Sequence, residues 1–429
     1  MESPARAFLR QLFDAAVAAA HPATCLPPLL PPPPAGKLVL LAAGKAAGSM
    51  AETAEAFYLD RLKLSHERLT GVAVARHGYG RPTRAVEMIE AGHPMPDAAG
   101  LKAAERALTL ADAATADDLV LVLMSGGASA NWIAPAPGVT FEEKLALTRA
   151  LLRSGATINE INCVRKHLSR LKGGRLARHA YPAKLVTLAI SDVPGDDPSA
   201  IGSGPTVPDP TTLADARAIV GKYNLDLPAS IARALDDPAN ESPKPGDAVF
   251  AGSQFALAAR PRDALSAAET LVREAGYECI DLGDRVEGQA RVVAGEHARL
   301  ARDLRAQKKR TVILSGGELT VTITGSGRGG PNQEYALALA MALDGMPAVA
   351  ALAADTDGTD GGAGSASDPA GAVIDGDTVT RARQNGLDPA AFLANNDSTG
   401  FFAALDDLLT PGPTFTNVND FRVIVVDRT

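Results

Sequence analysis

Apolar runs of strand length alternate with helix-length amphipathic stretches along most of the chain. Residues 37–44 (KLVLLAAG), 118–127 (DLVLVLMSGG) and 184–192 (KLVTLAISD) carry apolar residues without polar alternation, so both faces of these strands are buried. Residues 71–76 (GVAVAR) and 85–92 (AVEMIEAG) continue the series. Helical patterns separate the strands, and two more, at 141–153 and 158–171, precede the run at 184. This rhythm predicts a parallel sheet covered on both faces. Leu9, Leu12, Phe13, Ala16, Val17 and Ala20 share one helical face, which predicts a packed first helix, and the proline-rich 27–34 is an extended spacer.

A polar, proline-bearing stretch at 240–246 (NESPKPG) sets an expected boundary between domains 1–245 and 246–429. The second part reads as a strand at 247–252, a long helix at 254–275, a strand at 277–283 and a helix through Arg305. Residues 311–318 (TVILSGGE) and 319–325 (LTVTITG) are nearly contiguous, which predicts an antiparallel hairpin. Further strands are expected in 348–362, 371–375 and 422–427. The fold class is therefore α/β: a Rossmann-like parallel-sheet domain, then a smaller α/β domain with a mixed sheet.

The chain has 429 residues, enough for two cores, with 46% hydrophobic and 21% charged residues. Its net charge of −8 argues against nucleic acid as a partner. Anionic ligands must then be held by a few placed cations and by backbone N–H groups. No apolar run reaches the roughly 18–20 residues of a membrane span. Cys25, Cys163 and Cys279 form no CxxC and fit a reducing cytoplasm. The seven histidines show no zinc spacing.

Small, acidic and cationic residues collect where strands end, which is where open α/β sheets bind ligands. Gly44-Lys45, Ser125-Gly126-Gly127, Ser191-Asp192, Ser315-Gly316-Gly317-Glu318 and Asp355-Thr356-Asp357 all follow apolar runs. They suggest one polar cleft between the domains. Val39 and Ala46 rule out a P-loop around Lys45. Consecutive glycines after a strand can form an anion nest. Asp192, Glu318, Asp355 and Asp357 are candidate general bases or Mg²⁺ ligands, with Asp192 and Asp355 preferred as ligands. His93 reads as a turn residue. Arg165, Lys166 and His167 read as a charged helix face closed by Gly173-Gly174, unless one reaches the site. Gly325, Gly327 and Gly330 spell G-x-G-x-x-G ahead of Asp355. The strand before them alternates with threonine and lacks a crossover helix, so it is no dinucleotide fingerprint. The loop instead presents Arg328, suited to bidentate carboxylate or phosphate recognition.

The blocks GKAAGSM, AGHPMPD, LMSGGASA, INCVRKHLSRLKGGRLA, SDVPGDDPSAIGSGPTVPD, LSGGELTVTITGSGRGGPNQE, ADTDGTDG and TNVNDFRVI, in this order, resemble the MOFRL-type glycerate 2-kinases. The resemblance covers nearly the whole chain. It implies ATP-dependent phosphorylation of D-glycerate to 2-phosphoglycerate with a divalent metal, Mg²⁺. It implies that Lys45 and Arg328 are essential and that Ser125, Gly126 and Gly127 contact the anionic ligand or nucleotide. Asp192, Glu318, Asp355 and Asn419 would line the cleft, beside Ser315, Gly316 and Gly317. A homodimer is one assembly compatible with it. The rival readings are an NAD(P)H-dependent hydroxypyruvate reductase and a non-catalytic sugar-acid or nucleotide-binding protein.

Overall fold

The computed structural model describes residues 3–362 and 364–428. The chain divides into two compact units: Leu26–Ala258, and Met1–Cys25 together with Ala259–Thr429. The first is the parallel-sheet unit and the second the mixed-sheet unit.

The parallel-sheet unit is built on β1 (Leu38–Ala43), β2 (Leu69–Arg76), β3 (Val86–Ala91), β4 (Leu119–Met124), β5 (Lys184–Ile190) and β6 (Gln254–Ala259), in the order β3-β2-β1-β4-β5-β6. β1 to β5 pair parallel with one another. Every residue of β1 and β4 is buried, as their unalternated sequence requires. The helix Ala98–Asp112 presents Ala103, Ala104, Ala107 and Ala111 to this core, so small side chains let it lie close on the sheet. Strand order reverses between β1 and β4, the switch point at which doubly wound sheets open a crevice. A separate cluster joins the helices Phe141–Arg153, Ile158–His167, Leu213–Lys222 and Ala229–Asp236. The first three start with reciprocal capping boxes, at Thr140/Glu143, Thr157/Glu160 and Thr212/Asp215.

The mixed-sheet unit contains β7 (Glu278–Asp281), β8 (Gly288–Gln289), β9 (Thr311–Ser315), β10 (Leu319–Thr320), β11 (Val349–Asp355), β12 (Gly371–Asp375), β13 (Leu408–Leu409) and β14 (Asp420–Val426). Six of these form a sheet in the order β13-β12-β11-β14-β9-β7. β7 and β9 are parallel and the other pairs antiparallel, which makes the sheet mixed.

Several expectations differ from the structure. No strand forms at 247–252, where Ala248–Phe250 makes a single 3₁₀ turn. The hairpin does not form: β10 is two residues long and pairs parallel with β8. Val321–Thr324 leave the sheet because Asn396 bonds the Thr324 and Gly325 N–H groups through its Oδ1. The helix expected at 254–275 begins only at Pro261, since proline lacks the N–H that a helix interior needs. Residues 254–259 are instead β6, in the first sheet, so the division falls at Ala258 and not at 245. Finally, the first helix (Pro4–Ala20) belongs to the mixed-sheet unit. Phe13 meets Phe421 edge-on at 6.3 Å, Phe8 stacks on Tyr277, and Arg6 bonds Asp375 and Asp407. Leu9, Leu12 and Phe13 are buried, and each contributes about 1.5–3 kcal/mol. No helix among the described residues is long and apolar enough to cross a membrane.

Candidate active site

At the switch point of the parallel-sheet unit, the loops after β1 and β4 interlock. Lys45 donates its N–H to the Gly126 carbonyl at 2.8 Å, and Ser125 Oγ accepts the Ala46 N–H at 2.9 Å. Gly44 has φ +120°, and a Cβ there would lie 2.4 Å from both the carbonyl oxygen and Oγ of Ser125. Gly127 has φ +84°, and a Cβ there would come within 2.9 Å of the His93 ring and 3.3 Å of Lys45 Cγ. Lys45, His93 and the Ser125–Gly127 loop are therefore one cluster. Among the described residues no protein oxygen accepts the Gly126 or Gly127 N–H, which leaves two donors pointing from a tight loop, as an anion nest requires. Asp192 is half-buried just past β5, the neighbour of β4, so it lies at the same edge of the sheet.

This geometry makes Gly44 a sharp test. Gly44→Ala should cost about 1–3 kcal/mol and take activity with it, because the loop that aims Lys45 must move. A thermal melt checks it; a parental melting temperature would mean that the loop has room its contacts deny.

In the mixed-sheet unit, three further groups meet at one sheet edge. Ser315–Glu318 follow β9, Asp355 ends β11, and Asn419 precedes β14, whose Asp420 pairs with Asp355. Asp355 is half-buried, its Oδ1 accepts the Asp357 N–H at 2.8 Å, and Thr356 Oγ1 donates to the Asn419 carbonyl at 2.7 Å. Gly317 has φ +100°, and a Cβ there would strike the Val286 backbone at 2.4 Å. The second nest differs from the first, since Gly316 donates its N–H to the Gly283 carbonyl at 2.8 Å. The buried Arg422 grips this loop through the Ser315 hydroxyl and the Gly316 carbonyl, with Asp420 as its carboxylate. Glu318 is exposed.

Arg328 is also exposed, on a loop whose glycines are packed against protein. Cβ atoms on Gly325, Gly327, Gly329 and Gly330 would collide with Asn395, Asp397, Ser398 and Asp360, all within 2.4 Å. The Arg328 N–H is held by Asp397 at 3.1 Å, and its carbonyl accepts the Thr399 N–H at 2.9 Å. Among the described residues its guanidinium meets no carboxylate. The backbone is thus fixed while the charge stays available. Asp360, which sequence reasoning passed over, joins this loop to the one after β11. It accepts the Asn332 and Gln333 N–H groups at the start of the helix Pro331–Ala342, and burial pushes its pKa up to about 7. Of the basic trio at 165–167, Lys166 pairs with Asp209 and His167 lies between the Cys163 carbonyl and Glu241. The helix ends at His167, and Gly174 caps the next one.

Among the described residues no group of three or more His, Cys, Asp or Glu could hold a metal ion.

A family model described as a domain of unknown function, DUF4147, matches residues 8–236, and the MOFRL family model matches residues 311–420. The chain is 47% identical over 428 residues to an Agrobacterium vitis protein provisionally named hydroxypyruvate reductase, covering 98% of this chain and 94% of that one. It is 37% identical over 418 residues to the D-glycerate 2-kinase of Thermotoga maritima, covering 96% of each. A crystal structure of glycerate kinase from Thermotoga maritima superposes with a TM-score of 0.87 at 36% identity, over 98% of this chain and 99% of the other. The chain belongs to the MOFRL-type glycerate 2-kinase family.

Proposed function

We propose that the protein transfers the terminal phosphoryl group of ATP to the 2-hydroxyl of D-glycerate, giving 2-phosphoglycerate and ADP. The observation that carries this reading is a pair of anchored cations in an acidic chain: Lys45 at the switch point and Arg328 on its glycine-packed loop. Phosphoryl transfer depends mainly on positioning and charge stabilisation, which such cations supply. Lys45, with the Gly126 and Gly127 N–H groups beside it, neutralises charge on the transferring phosphoryl group. Arg328 clamps the glycerate carboxylate, because its planar fork matches two carboxylate oxygens. Asp192 accepts the proton of the attacking hydroxyl. Glu318, Asp355 and Asn419 line the ligand, with Ser315, Gly316 and Gly317 next to them. Mg²⁺ brought by the nucleotide would be held by Asp192 or Asp355 and would neutralise phosphate charge. The three free cysteines fit a cytoplasmic enzyme.

The reductase reading finds little support in the loop that suggested it. Gly325, Gly327 and Gly330 follow no parallel strand of the main sheet, and their faces are covered by protein. One assay separates the two. With ATP and D-glycerate the protein should release ADP, and with NADH and hydroxypyruvate the absorbance at 340 nm should stay flat. NADH oxidation without ADP release would overturn the kinase reading.

A further inference from the structure

A cavity of about 240 Å³ opens beside the Lys45 cluster, within the parallel-sheet unit and sharing His93 and Gly127 with it. Lys144, Arg149, Arg165 and Lys172 line it, and among the described residues no Asp or Glu does. Lys144 is 3% and Lys172 2% exposed. The Lys144 ammonium donates to the Leu168 carbonyl at 2.6 Å, and that of Lys172 to the Ser129 carbonyl at 3.0 Å and the Gly202 carbonyl at 3.5 Å. An ammonium has three donors, so each keeps hydrogen-bonding capacity.

Burying a charge without a counter-charge costs several kcal/mol. This chain avoids that cost at other buried cations: Lys166 has Asp209, and Arg422 has Asp420. Arg175, also buried without a close carboxylate, is enclosed by the carbonyls of Lys166, Lys172 and Asn240 and lines no part of this cavity. Lys144 and Lys172 differ in facing open volume together with two arginines. Burial, helped by Arg165, pushes the Lys172 ammonium down to about 7, and burial pushes Lys144 well below the usual lysine range. An entering anion would restore both charges.

We infer that this cavity is a binding site for a phosphate-bearing anion, held by Lys144, Arg149, Arg165 and Lys172, with Gly127 also lining it. Two sources share that chemistry: the polyphosphate tail of a nucleotide and a small phosphorylated acid. The choice between them rests on the proposed kinase function; the anion site itself does not.

Isothermal titration of the full chain with inorganic tripolyphosphate and with 2-phosphoglycerate tests it without reference to turnover. Arg165→Ala and Lys172→Met should each weaken the anion that uses the site about tenfold or more. Arg149 is exposed, so Arg149→Ala keeps the test valid should Lys172→Met fail to fold. Loss for tripolyphosphate assigns the nucleotide tail, and loss for 2-phosphoglycerate assigns the small acid. Parental affinity for both anions in folded Arg165→Ala and Arg149→Ala overturns the inference, whether or not the protein proves to be a kinase.

Discussion

Arg328→Ala should lower kcat/KM for D-glycerate about a thousandfold while leaving the melting temperature near the parent's. Stability should hold because the loop is fixed by backbone and glycine contacts, not by the guanidinium. Its N–H and carbonyl are engaged by Asp397 and Thr399, and its glycines abut residues 395–398 and Asp360. Activity should fall because no other cation is held on that loop. If Arg328 clamps the carboxylate, KM for glycerate rises along with the fall in kcat. Arg328→Lys should recover little, since a lysine offers a point charge in place of a planar fork. A loss confined to kcat would exchange the roles given to Arg328 and Lys45. A near-parental rate would remove Arg328 from the site.

Lys45→Met should lower kcat about 100- to 1,000-fold, with KM for glycerate changing by no more than about threefold. Methionine keeps the length and apolar stem of the side chain, so contact with Gly127 survives and only the charge is lost. The loop should stay in place, because Lys45 is anchored through its main-chain N–H to Gly126. Steady-state kinetics with glycerate varied at saturating ATP separate the two parameters. A rise in KM with kcat unchanged would mean that Lys45 binds substrate and transition state equally, contrary to its proposed role on the phosphoryl group.

Much of the parallel-sheet unit was legible in the sequence because its signal is strong and local. β1, β4 and β5 are unbroken apolar runs, and only burial on both faces accounts for them. The loops proposed for the site stand out in the sequence for the same reason: small and charged residues lie directly after such runs. What failed depended on contacts distant in sequence. Residues 319–324 alternate like a strand, yet Asn395 and Asn396 capture the following loop through main-chain and side-chain bonds. In β6 the short run QFALAA suits helix or strand equally, and Pro261 was the available signal that a helix starts after it. The amphipathic face of the first helix predicted burial but could not name its partner, which lies some 400 residues away at Phe421. Nothing in the local pattern marks Lys144 or Lys172, and only the fold encloses them. His93 does lie in a bend, as the sequence suggests, but that its ring lies against Gly127 is a contact only the fold creates.

The central claim is phosphoryl transfer to the 2-hydroxyl of glycerate. Proton-coupled ³¹P NMR of the reaction of the purified protein with ATP, Mg²⁺ and D-glycerate reads it directly. A phosphate on C2 couples to one methine proton and gives a doublet, whereas a phosphate on C3 couples to two methylene protons and gives a triplet. The account predicts a new phosphomonoester doublet growing in step with ADP. A triplet would place the phosphate on the wrong hydroxyl, and no new phosphomonoester signal would contradict the kinase assignment itself.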